Sequence, residues 1–210
     1  MKLISTLIII LIIILPLTIY LSSANSVIFD KNYYKNEFKK NNVYEEIAEA
    51  DIISDGLIDY LQGKRENIET YAFEEKEISH LRDVRALMEK GFVLFYFLLC
   101  FDIVLFVLLL MLSKNVHKTI TKLFVLSGLT TIMFPVILFF SNFSSVFTLS
   151  HKIFFPQGNW QFSSTSNLII MFPEQFFYDI TKDIFLNSIF VGLVLVFIGV
   201  ILILHKRNLK

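Results

Sequence analysis

The chain has 210 residues, of which 55% are hydrophobic, 23 are Phe and only 18% are charged. That is too apolar for an ordinary soluble domain of this length and points to a membrane protein. The formal net charge is zero, so nothing in the charge balance draws the chain to nucleic acid.

A hydrocarbon core takes about 20 apolar residues to cross as a helix. The first run of that kind is 3–21, LISTLIIILIIILPLTIYL. Small residues follow it in LSSANS, as they do after a secretory signal, but its apolar stretch exceeds the roughly 7–15 residues of such signals. It is therefore taken as a span. Residues 22–90 form a polar region with helical patterning. In NNVYEEIAEADIISDGLIDYLQG, Val43, Ile47, Ile52, Leu57 and Leu61 keep a helical stripe, interrupted at Gly56 and closed at Gly63. A second stretch from about Ile68 to Lys90 carries Ile78, Leu81, Val84 and Leu87 at helical spacing and runs into the next span as one helix.

The second span is 91–112, with Asp102 ten residues inside it. A carboxylate at that depth costs about 2.5–3.5 kcal/mol on insertion scales and must face other helices or water. The third span, 120–140, runs back and offers Ser127, Thr130 and Thr131 at comparable depth as partners. The lone Cys100 lies in the second span, so the chain can form no intrachain disulfide.

Residues 141–184 contain FSSVFTLSHKIFFPQGNWQF and then LIIMFPEQFF, too short and too broken by Pro173-Glu174 to cross a bilayer. Such a run suits an interfacial or re-entrant segment, with Trp160, Phe154, Phe155 and Phe162 as an aromatic belt. The fourth span is 185–204. The expected architecture is an all-α membrane protein: a single domain over 1–210, built as a four-transmembrane-helix bundle with external helices and an outer-leaflet aromatic loop.

Charge sets the orientation. Lys2, Lys114, Lys118, Lys122, Lys206, Arg207 and Lys210 fall at the ends and around the 113–119 loop with no acid among them, whereas 22–90 and 141–184 hold 18 acids against 12 bases. By the positive-inside rule both termini are cytoplasmic and the two long regions are external.

That topology sorts the four histidines. His117 and His205 are cytoplasmic surface residues, whereas His80 and His151 are external and each close to a span end. Glu77, His80 and Asp83 are three apart and crowd one side of a helix, where a carboxylate can orient an imidazole. The plain alternative is a solvated polar helix with chance spacing. Glu77-x-x-His80 also has the spacing of a carboxylate–imidazole metal pair, to which His151 and Glu174 could add. Such sites need a second copy of the motif, and the chain has none, so no metal is assigned.

Two stretches, EISHLRDVRAL before the second span and HKIFFPQGNWQFSSTSNLIIMFPEQFF between the third and fourth, together carry a resemblance. They resemble the motifs of a family of four-span integral membrane proteins that includes the bacterial lipoprotein intramolecular transacylase. The likeness implies an enzyme that moves the sn-2 acyl chain of a lipoprotein's diacylglyceryl cysteine onto that cysteine's own α-amino group, giving a lyso-form lipoprotein. It implies His80 and His151 as the catalytic pair, with a diacylated lipoprotein N-terminus and membrane lipid as partners. Ser150, Ser163 and Asn167 stand where the family pattern leads one to expect an aromatic or acidic residue.

The residues suit that chemistry. The amine needs a base, the glycerol alkoxide needs a proton as it leaves, and two imidazoles can supply both. Glu77 and Asp83 would orient His80, while Asn159, Trp160 or the backbone at Gly158 would contact the oxyanion or substrate. Both reacting groups belong to one molecule, so no cofactor is required. Two other classes share the composition: a membrane scaffold that binds lipid or a partner, and a hydrolase of lipid esters with water in place of the amine.

Overall fold

The computed structural model describes residues 2–68 and 71–208, and among these every regular element is a helix. Glu69 and Thr70, inside the stretch expected to be helical, and Lys210, counted in the basic tail, lie outside the described residues. The helices are α1 (Lys2–Ile28), α2 (Lys31–Lys40), α3 (Val43–Glu46), α4 (Ala50–Leu61), α5 (Glu75–Leu112), α6 (Val116–Phe139), α7 (Phe143–Phe154), α8 (Asn167–Met171) and α9 (Glu174–Asn208). α1, α5, α6 and α9 are long and apolar enough to cross a membrane. The chain divides into two compact units: Met1–Ala24, Leu94–Phe140 and Ile184–Lys210 form the first, and Asn25–Val93 with Ser141–Asp183 form the second.

The first unit is built from the four apolar stretches. Leu7, Ile8 and Leu11 of α1 pack with Leu105 and Leu109 of α5 and Leu123 of α6 in one buried cluster. α6 and α9 approach through glycine: a Cβ on Gly128 would lie 2.5 Å from the Gly192 carbonyl oxygen, so any side chain there would push the helices apart. Large apolar side chains line the outside, Met111 at 77% and Phe197 at 64% exposure. In lipid that surface costs nothing, and helices are one of two structures that satisfy every backbone polar group there.

Polar residues inside the bundle tie helices together. Asp102 accepts a hydrogen bond from the Thr18 hydroxyl at 2.6 Å. None of its expected partners on α6 bonds to it: Thr131 donates to the Ser127 carbonyl at 2.7 Å, Thr130 donates to the Ile12 carbonyl at 3.2 Å, and the Ser127 hydroxyl is buried with no hydrogen bond. The carboxylate therefore clasps α5 to α1, because α1 is the neighbour that presents a hydroxyl at its level.

The second unit contains the short helices. The expected interruption at Gly56 falls instead at residues 47–49, between α3 and α4, and Gly56 is buried inside α4. The stripe does end at Gly63, which takes the left-handed conformation at φ 75° that glycine adopts without strain. Tyr34 and Phe38 of α2 meet Phe172 and Phe176 in an aromatic cluster with ring separations of 5.2 to 6.3 Å. Lys40 pairs with the buried Asp179 at 2.5 Å, tying α2 to the start of α9.

Two starts differ from expectation. α5 begins at Glu75 rather than near Ile68, and Gly91 passes without a break. α9 begins at Glu174, directly after Pro173, so the fourth apolar run is the latter part of a longer helix. Proline cannot donate a backbone hydrogen bond, which makes it a natural boundary for a helix N-terminus.

Candidate active site

The second unit brings His80 and His151 together. His80 lies in the second turn of α5 and His151 near the end of α7, and their ring centroids are 6.2 Å apart with the planes 29° from parallel. Each is held differently. His151 Nδ1 is 2.8 Å from the Phe147 carbonyl oxygen one turn earlier. A carbonyl can only accept, so Nδ1 carries the hydrogen and Nε2 of the neutral ring is left with its lone pair.

Aromatic rings close the site. Phe155 lies 4.7 Å from the His80 ring and 5.6 Å from His151, Phe162 lies 5.6 Å from His80, and Trp160 lies 5.0 Å from His151. Phe155, Phe162 and Trp160 thus turn toward the histidines, and only Phe154 of the four is exposed. The Lys76 ammonium lies over the Phe162 ring at 5.3 Å and donates to the Gln161 carbonyl, which fixes the loop against the start of α5.

This enclosure leaves His80 only 7% exposed. Burial, and then the charge of His151, push its pKa down from 6.5 to about 4, against the opposing pull of Asp83 and the Asn159 amide. His80 is therefore neutral at physiological pH, while the unfolded chain would protonate it below about 6.5. Between those values the unfolded state binds more protons, so stability rises with pH. The stability that His80 contributes is complete above 6.5 and is lost as pH falls toward 4, a change on the order of 3 kcal/mol. Urea midpoints measured from pH 7 to pH 4 should fall more steeply for the native chain than for a His80→Gln variant. Equal slopes would mean that His80 is not buried in its neutral form.

The two carboxylates flanking His80 part company. Glu77, 1% exposed, accepts the Glu74 N–H at 2.7 Å with one oxygen and the Leu168 N–H at 2.8 Å with the other. Three residues into α5 it reaches back to the residue before the helix, as a capping carboxylate does, and it also caps the first turn of α8. Its expected role as an orienter of His80 does not match this geometry, because both oxygens are spent on backbone. Asp83 accepts from Gln157 Nε2 at 2.7 Å and from Asn159 Nδ2 at 2.6 Å, so it holds the loop after α7. Asn159 accordingly has its NH₂ group committed to Asp83 and Ser79 rather than open to an oxyanion. Trp160 keeps its place beside His151.

The other flagged groups lie elsewhere. His117 and His205 belong to the first unit. Glu174 accepts from Ser144 at 3.4 Å, and among the described residues no three His, Cys, Asp or Glu side chains gather as metal ligands would. Phe147 is a site residue that the sequence reading passes over, and Phe155 is one that it assigns to the aromatic belt instead. The signal was available, since Phe143, Phe147, His151 and Phe155 recur every fourth residue and so share one helical face.

Comparison with known proteins places the chain in a family. Residues 9–177 match the family described as lipoprotein intramolecular transacylase Lit. An uncharacterized protein of Aquifex aeolicus (strain VF5) is 29% identical over 160 residues, covering 76% of this chain and 69% of that one. The in meso structure of the membrane integral lipoprotein intramolecular transacylase Lit from Bacillus cereus superposes with a TM-score of 0.85 over 99% of both chains at 22% identity. A form of that protein with a histidine replaced by arginine superposes at 0.81 and 21% identity, over 100% of this chain and 96% of that one. At such identities the superpositions establish a common fold, and the match over 9–177 establishes kinship: the chain belongs to the lipoprotein intramolecular transacylase family.

Proposed function

We propose that the protein moves the sn-2 acyl chain of a lipoprotein's diacylglyceryl cysteine onto the α-amino group of the same cysteine, leaving a lyso-form lipoprotein. The observation that carries this reading is the histidine pair: two imidazoles 6.2 Å apart inside an aromatic enclosure. That separation lets one substrate touch both rings.

The neutral amine attacks the ester carbonyl, and the nitrogen becomes positively charged and strongly acidic. His80, neutral through burial, takes that proton on Nε2. As the tetrahedral intermediate collapses, the C–O bond to the glycerol oxygen breaks and the oxygen must gain a proton. His151 supplies it from Nε2 when protonated, its other N–H staying on the Phe147 carbonyl. Two like charges this close are unfavourable, which divides the pair into one base and one acid. Proton transfer from His80 to His151 restores the start. The indole N–H of Trp160, beside His151, is a donor for the oxyanion. No cofactor enters, because donor and acceptor sit on one molecule.

The aromatic walls exclude the water that would turn transfer into hydrolysis. The basic residues at the chain ends and in the 113–119 loop support a cytoplasmic position for both termini and an external one for the histidines, the side on which lipoproteins are displayed. Expression in a bacterium whose lipoproteins remain diacylated with a free amine should convert them to N-acylated lyso forms, read by mass spectrometry of their N-termini. Unchanged diacyl forms at full expression would contradict the proposal. Loss of a fatty acid with the amine still free would replace it with hydrolysis.

A further inference from the structure

The Asn159 amide sits where it can decide which nitrogen of His80 carries the proton. Its Nδ2 is 2.6 Å from a carboxylate oxygen of Asp83 and 3.4 Å from the Ser79 hydroxyl. A carboxylate only accepts, so the nitrogen end of the amide must face Asp83 and the oxygen end must face away. That oxygen, Asn159 Oδ1, is buried with no hydrogen bond, and so is His80 Nδ1. One is an acceptor and the other can be a donor, and leaving both unmet is costly.

We infer that Asn159 is a positioning residue for His80: its side-chain carbonyl takes the Nδ1–H of the neutral imidazole, and Asp83 fixes the amide in the orientation that allows this. The presence of Asn159 favours the protonated form of the ring, against the larger effect of burial. With the hydrogen held on Nδ1, the Nε2 lone pair is the one presented to substrate. Were the amide turned over, its NH₂ would face Nδ1, the hydrogen would move to Nε2, and His80 could no longer receive a proton there. Asp83 prevents that turn, and its charge supports the imidazolium that forms when the amine gives up its proton. The charged and titratable groups acting on the His80 ring are Asp83 from its own helix and His151 from α7. Phe155 and Phe162 from the following loop meet the ring without charge.

The inference rests on His80 being the base of the proposed reaction, and its test separates the two claims. The full chain, labelled with ¹⁵N-histidine and held in phospholipid nanodiscs without substrate, reports the tautomer of each ring through its nitrogen shifts. His80 is assigned by the signal lost in His80→Gln. The native chain should show His80 hydrogenated on Nδ1, and Asn159→Ala and Asp83→Asn should each shift it toward Nε2. Acyl transfer should fall about 10²-fold in each, within the range that general acid–base catalysis supplies. The double variant should be no slower than Asn159→Ala alone, since both break one relay. Asp83→Asn preserves shape, and dispersion of the other histidine signals shows folding in the same spectrum. A folded Asp83→Asn variant that keeps Nδ1–H on His80, or losses that multiply in the double variant, would overturn the relay. Transfer that persists in His80→Gln would instead sink the catalytic reading, whatever the tautomer.

Discussion

Replacing either His80 or His151 with alanine should lower acyl transfer by at least about 10²-fold, and the double replacement should do little more harm than the worse single one. General acid–base groups are worth about 10²–10⁴-fold, and groups that handle one proton in sequence do not lose independently. His80→Gln is the stricter test. It keeps much of the volume in the slot against Phe155, so packing changes less than chemistry. Membrane abundance should stay near native for His80→Gln and for His151→Ala, whose ring is only partly buried. If both still produce lyso-form lipoprotein at near-native rates, the acid–base mechanism is wrong.

Glu77→Ala should fail for a different reason. Its carboxylate joins the N-termini of α5 and α8, and its removal strands two N–H groups, those of Glu74 and Leu168. Hydrogen bonds to charged groups contribute about 1.5–3 kcal/mol each, so the variant should lose roughly 3–6 kcal/mol. That is a large part of the stability of any domain. The expected phenotype is low abundance and early thermal unfolding, with whatever folded fraction remains still bearing an intact histidine pair. A Glu77→Ala protein as stable as the native one but inactive would return Glu77 to the catalytic machinery and contradict the capping role.

These cases mark how far the sequence could be read. Long apolar runs state their own positions, because a bilayer demands about 20 such residues in a row, and all four appear in α1, α5, α6 and α9. His80 and His151 stand out once charge segregation sorts the four histidines into two groups. What pattern reasoning misses is direction. Glu77 and Asp83 look equivalent beside His80 at a spacing of three, yet one caps a distant helix and the other grips a loop, a choice set by where α8 and residues 157–159 come to rest. The break before α4 was masked in the same way, since Gly56 is tolerated where the helix is closely packed. Phe155 reads as an interfacial anchor from composition and becomes a wall of the site because, just past the end of α7, it packs against both histidine rings.

The central claim is that this histidine pair transfers an acyl chain from oxygen to nitrogen within one molecule. The most direct measurement uses the purified protein in lipid nanodiscs with a synthetic diacylglyceryl-cysteine lipopeptide bearing a free α-amine, followed by tandem mass spectrometry. Transfer is an isomerisation, so the product must keep the mass of the substrate while its fragments place one acyl chain on the cysteine nitrogen and one on glycerol. An unchanged fragmentation pattern, or a product lighter by one fatty acid with its amine still free, would contradict the account.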